Sequence, residues 1–82
     1  MDNYTVLSVG DKISLGFTKC DIYYAGMPSE RVFSIVQRKY QFPYTGFAWN
    51  LYFPRGQSRI RIDGVNLLVD HVTPEEIRFR KG

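Results

Sequence analysis

The sequence predicts a mainly β protein with antiparallel strands, and three observations carry that prediction. Between Phe47 and Asp70 large apolar residues alternate with small or polar ones, and turn residues interrupt the alternation twice. The strands so delimited can be paired with their apolar faces aligned.

From the N-terminus, Tyr4 to Phe17 reads as one or two strands around a turn at Gly10-Asp11, with Ile13, Leu15 and Phe17 alternating against Lys12, Ser14 and Gly16. Thr18 to Ser29 mixes polar residues, Gly and Pro with a short Ile22-Tyr23-Tyr24 run, which fits a brief strand or a packed loop equally well. Glu30 to Tyr40 carries two conflicting signals. Pro28-Ser29-Glu30 resembles a helix start, and Val32, Phe33, Val36 and Tyr40 would share a helical face. The β-branched Val32, Ile35 and Val36, with Phe33 and Ile35 alternating about Ser34, favour a strand, and a strand is the reading preferred. Gln41 to Gly46 is then an aromatic loop, with Pro43 and Gly46 bracketing Tyr44 and Thr45.

Phe47, Trp49, Leu51 and Phe53 form one face of the next strand. Pro54-Arg55-Gly56-Gln57 supplies a turn, since Pro presets φ and Gly tolerates positive φ. If that turn closes a hairpin with Phe53 opposite Ser58, Leu51 falls opposite Ile60 and Trp49 opposite Ile62. Asp63-Gly64 is a two-residue hairpin signal that pairs Ile62 with Val65, Ile60 with Leu67 and Ser58 with Val69. The two turns together predict a three-stranded meander with one apolar face. Thr73-Pro74-Glu75-Glu76 reads as a capped helix start that supports only one turn, because Ile77 and Phe79 then alternate with Arg78 and Arg80 as a closing strand.

These elements fit a single small domain, residues 1–82, built as a small antiparallel sheet or an SH3-like barrel of about five strands with a one-turn helix near Thr73–Glu76. The alternative is an α+β fold in which residues 30–40 are helical. A chain of 82 residues buries a thin core, only a little over ~60% of its unfolded surface. Its 44% hydrophobic and 16% aromatic content is nevertheless enough to offset the entropy of ordering.

A single cysteine, Cys20, excludes an internal disulfide and makes a reducing compartment the default. With no signal-peptide pattern and no stretch of membrane-spanning length, the chain reads as soluble and cytoplasmic, without a membrane partner. The net charge of +3 is modest, but its distribution is uneven: residues 1–30 sum to −2, residues 31–62 to +6 with no acid, and the last twenty to −1.

Catalysis is not expected. The one histidine, His71, has Asp70 beside it, but neighbours on a strand point to opposite faces, so the carboxylate would not orient the imidazole. The sequence has no paired metal ligands, phosphate-binding loop or nucleophile elbow, so neither metal nor cofactor is expected.

The outer face of the predicted meander is the main candidate site. Its register sets Tyr52 beside Arg59 and Leu68, and Asn50 beside Arg61 and Asn66. Arginines neutralise phosphates and stack on bases, an aromatic ring offers a stacking platform, and asparagine reads base edges. Asn50, Tyr52, Arg59 and Arg61 therefore form a candidate nucleic-acid site, weighed against an ordinary solvated sheet face. The second candidate is Arg38, Lys39, Tyr40, Phe42 and Tyr44, where basic residues lead into an aromatic loop suited to a protein partner or a second copy of the chain. The plainer account of that loop is extra apolar cover for a thin core. Arg78, Arg80 and Lys81 make a third basic cluster, which reads as protection of an edge strand.

Overall fold

A computed structural model describes residues 4–15, 20–41 and 44–82. These form eight strands: β1 (Thr5–Ser8), β2 (Lys12–Ser14), β3 (Cys20–Ser29), β4 (Val32–Gln41), β5 (Tyr44–Pro54), β6 (Arg59–Ile62), β7 (Val65–Val72) and β8 (Glu76–Lys81). They assemble into two antiparallel sheets of four strands, in the orders β1-β8-β7-β6 and β2-β3-β4-β5. The mainly β expectation holds. The architecture is two packed sheets rather than a closed barrel, and eight strands replace the expected five or so.

The chain enters the first sheet as β1, crosses to build the whole second sheet as a meander, and returns to complete the first with β6, β7 and β8. Both crossings are fastened by backbone hydrogen bonds. At the β1–β2 turn, the Val9 N–H donates to the Glu75 carbonyl at 3.0 Å and the Gly10 N–H to the Tyr24 carbonyl at 2.9 Å. At the return, the Arg55 N–H donates to the Arg31 carbonyl at 2.7 Å.

Strand alternation turns one face of each sheet inward. Leu7, Ile60, Ile62, Leu67, Ile77 and Phe79 from one sheet meet Cys20, Ile22, Tyr24, Phe33 and Ile35 from the other, all buried. Phe33 and Phe53, opposite each other on β4 and β5, pack as a tilted ring pair with centroids 5.4 Å apart. The sheets are tied at one end by the Tyr24 hydroxyl, which donates to the Thr73 carbonyl at 2.5 Å. At another point the Lys39 ammonium meets the Asp63 carboxylate at 3.2 Å.

Of residues 30–40, those from Val32 onward are strand, as preferred, with Glu30 and Arg31 in the turn before it, and the helical alternative is excluded by the β4 register with both β3 and β5. Of the undecided stretch before them, Cys20–Ser29 is β3, whose ladder slips twice, at Tyr24/Gly26 and Gly26/Ser29, and Thr18 and Lys19 lie outside the described residues. Pro28 sits where β2 has already ended, so its missing N–H breaks no ladder on that side.

Two further expectations are corrected by the turns. Thr73–Glu76 forms no helix. The Thr73 hydroxyl does accept the N–H groups of Glu75 and Glu76, at 3.2 and 3.0 Å, but the Thr73 N–H also donates to the Glu76 carbonyl at 2.8 Å. The capping chemistry is there, and it closes a tight β-turn, because Ile77 and Phe79 bury themselves only as a strand.

The second correction concerns the meander. Its Asp63-Gly64 half is right: Ile62 pairs with Val65 and Ile60 with Leu67, and φ is 50° at Asp63 and 79° at Gly64, as a type I′ turn requires. Ser58 also meets Val69, whose N–H donates to the Ser58 carbonyl at 2.7 Å. The Pro54–Gln57 half is not a hairpin. A turn forms, with the Gln57 N–H on the Pro54 carbonyl at 3.0 Å, but it carries the chain from one sheet to the other. β5 pairs with β4, so Leu51 lies opposite Ile35 and Trp49 opposite Gln37.

Candidate functional site

That change of partner divides the first candidate site. Arg59 and Arg61 lie on β6, opposite Leu68 and Asn66 as expected, while Asn50 and Tyr52 lie on β5, opposite Val36 and Ser34. The two pairs belong to different sheets and do not form one face.

Arg59 and Arg61 acquire other neighbours instead. Across the first sheet, Arg59 faces Leu68, Leu68 faces Arg80, and Arg80 lies by the ring of Tyr4 just before β1. The Tyr4 ring is approached by two guanidinium groups, Arg78 at 5.5 Å and Arg80 at 5.9 Å from its centroid. Because Arg59 and Arg61 alternate with the buried Ile60 and Ile62, and Arg78 and Arg80 with the buried Ile77 and Phe79, all four arginines project from the outer face.

Two carboxylates share that face. Asp70, set in the β7 irregularity between Val69 and His71, takes the Arg78 Nε at 2.7 Å. Glu76 stands opposite Ser8. The positive charge is therefore concentrated on the β6 side. There an open groove of about 510 Å³ is lined by Gln57, Arg59, Arg61, Asn66, Leu68 and Gly82. It combines two guanidinium groups, two amides and an apolar floor. Asn66 stands opposite Arg61 as the sequence register set it, whereas Tyr4 and Arg80 were missed as members of this face. The alternation of Arg78 and Arg80 was visible, but the pairing of β1 with β8, which delivers Tyr4, is invisible to local pattern.

The second candidate is partly placed. Arg38 and Lys39 lie on β4, exposed, and Lys39 is engaged with Asp63. Tyr40 and Tyr44 belong to the backbone of β4 and β5, and Phe42 lies outside the described residues. Next to this end of the hairpin Phe47 is 59% and Trp49 41% exposed, and Tyr52 is 60% exposed on the opposite face of β5. The expectation that the whole Phe47–Phe53 row is core is thus corrected: Leu51 and Phe53 pack on the core, while Phe47 and Trp49 stand out in solvent. An open apolar groove of about 690 Å³ runs nearby between the β1–β2 turn and the outer face of β3–β5, past Val9, Tyr23, Val36, Arg38 and Ala48.

Cys20 is buried beside Gln37, and burial, reinforced by the Asp63 and Asp21 charges, holds its thiol above the ordinary range. That thiol is packed into the core. His71 is exposed at the β7 irregularity, and no group of three or more metal-ligating side chains occurs among the described residues. No described helix is long and apolar enough to cross a membrane. No protein-family model, curated protein or solved structure matches the chain.

Proposed function

We propose that this protein is a non-catalytic binding module that contacts single-stranded or structured nucleic acid through the outer face of the β1-β8-β7-β6 sheet. The observation that carries the reading is the projection of Arg59, Arg61, Arg78 and Arg80 from one face, beside the exposed Tyr4 and the Gln57–Asn66 groove. Arg59 and Arg61 neutralise phosphates, Asn66 and Gln57 offer amides to base edges, and Tyr4 provides a stacking surface. Of the residues first grouped from the sequence, Arg59 and Arg61 stay in the site. Asn50 and Tyr52, on the other sheet, leave it.

The reading is tested by fluorescence anisotropy of labelled single-stranded and duplex DNA and RNA at low and physiological salt. Binding that weakens steeply with salt supports it. No binding at low salt removes it.

A second reading, a protein-interaction module, is favoured by the exposed Phe47, Trp49 and Tyr52 on β5. In this reading Arg38, Lys39, Tyr40, Phe42 and Tyr44 contact a protein partner, and affinity is nearly independent of salt. Loss of partner binding on Phe42→Ala or Tyr44→Ala tests it.

A further inference from the structure

Each sheet has two edges, and the four edges are unequal. β1 has four residues and β2 has three. β6 has four, two of them the outward arginines Arg59 and Arg61. Short length and charge are the means by which β proteins keep an edge from pairing with another chain. The fourth edge, β5, has neither. It runs for eleven residues from Tyr44 to Pro54, contains no charged side chain, and keeps an unbroken register with β4 from Lys39↔Phe47 to Val32↔Pro54. Among the described residues no strand lies on its other side.

We infer that β5 pairs antiparallel with β5 of a second copy of this chain, joining two four-stranded sheets into one of eight. The inference is independent of the nucleic-acid reading, and it uses a backbone edge rather than the aromatic side chains of residues 40–44. Three features select a second copy as the occupant. A strand without charge meets its own image without opposing like charges. A two-fold axis normal to the sheet is the symmetry that reverses strand direction while keeping each sheet face on its own side, so inner-facing residues fall opposite inner-facing residues. The inner-facing row of β5, Phe47, Trp49, Leu51 and Phe53, is apolar throughout and is therefore complementary to itself. Pairing would cover Phe47 and Trp49, which the facing β1-β8-β7-β6 sheet of the same chain leaves exposed.

The test is sedimentation velocity of the full chain from ~1 µM to ~1 mM, the range in which a small, transient interface declares itself. Amide hydrogen exchange is followed at both ends of that range. The expected result is a mass that rises from one chain of 9.6 kDa to two, with exchange slowed at high concentration at alternate residues of Phe47–Phe53. Trp49→Lys, which puts a charge on the pairing edge of each copy, weakens the dimer at least ~10-fold while the strand signal in circular dichroism persists. Should that variant fail to fold, Ala48→Lys, at an exposed position of the same edge, takes its place. A single-chain mass up to ~1 mM overturns the inference. So does a dimer that leaves β5 exchange unchanged or survives the lysine.

Discussion

The hydroxyl of Tyr24, on β3, donates to the carbonyl of Thr73, at the β7–β8 turn, across the gap between the two sheets. Tyr24 is only 1% exposed, so its ring belongs to the core while its oxygen closes one end of it. Tyr24→Phe keeps the ring and strands the carbonyl. The variant should lose about 1–2 kcal/mol of stability by urea unfolding, with an unchanged m-value. A loss no larger than that of an exposed substitution such as Tyr52→Phe would show that water replaces the bond.

Two buried groups, Cys20 and Tyr24, link the stability of the fold to alkaline pH. Burial raises both above their ordinary values, helped at Tyr24 by the Glu75 carboxylate. Each group therefore ionises in the unfolded chain before it does so in the folded one. The stability linked to each is fully present below its unfolded value, near ~9 for the thiol and ~10 for the phenol, and is lost as pH rises through the folded value. Urea midpoints should fall from about pH 9 upward. Cys20→Ala should flatten the first part of that decline and Tyr24→Phe the second.

Gly26 and Gly10 offer a paired comparison. Both have positive φ, 90° and 91°, so alanine is strained at either. At Gly26 a Cβ would also lie 3.3 Å from the Pro74 carbonyl oxygen and 3.5 Å from Val9, whereas at Gly10 it meets open space. Gly10→Ala should cost about 1 kcal/mol and Gly26→Ala about 2–3 kcal/mol in thermal or urea unfolding. Equal costs would mean that the β7–β8 turn yields freely to β3.

Asp63 separates backbone from charge. Its ion pair with Lys39 joins an ammonium 48% exposed to a carboxylate 19% exposed, so Lys39→Ala should cost less than about 1 kcal/mol. Asp63→Val should cost more, since a β-branched residue at φ 50° opposes the type I′ turn. Asp63→Asn, which tolerates that φ, should recover most of the loss. Thermal midpoints of the three variants decide it.

For the proposed nucleic-acid face, Arg59→Ala with Arg61→Ala should reduce the salt slope of binding by about 2, one per phosphate contact, without shifting the unfolding midpoint. Asn50→Ala with Tyr52→Ala, on the other sheet, should leave the slope unchanged. The reverse pattern would move the site to β5.

Much of the fold was legible where local chemistry is decisive. Asp63-Gly64 names its own turn, and the register it sets is the one observed. β-branched residues settled β4 against the helix-like Pro28-Ser29-Glu30. The error at Pro54–Gln57 has a specific cause. Leu51 and Ile60 both point into the interior, so their apolar faces match whether the strands share a ladder or face each other across the core. Matching faces therefore report a common interior, not a hydrogen-bonded neighbour. The candidate site inherited that error: Arg59 and Arg61 were identified, and Asn50 and Tyr52 were assigned to them through a ladder that does not exist. Tyr4 could not be found, because only a pairing between opposite ends of the sequence brings it to Arg80.

That end-to-end pairing also orders assembly in time. Every ladder of the β2–β5 sheet joins consecutive strands, so its loops are short and their closure costs little entropy. β1 must instead wait for β8, with Thr5 meeting Phe79, 74 positions later. The contact-order argument makes the meander the early-forming unit and the docking of β1 the slow, late step. Until β8 arrives, Leu7 has no ladder to hold it in the core, so the N-terminal strand is expected to be the last piece of the molecule to become native.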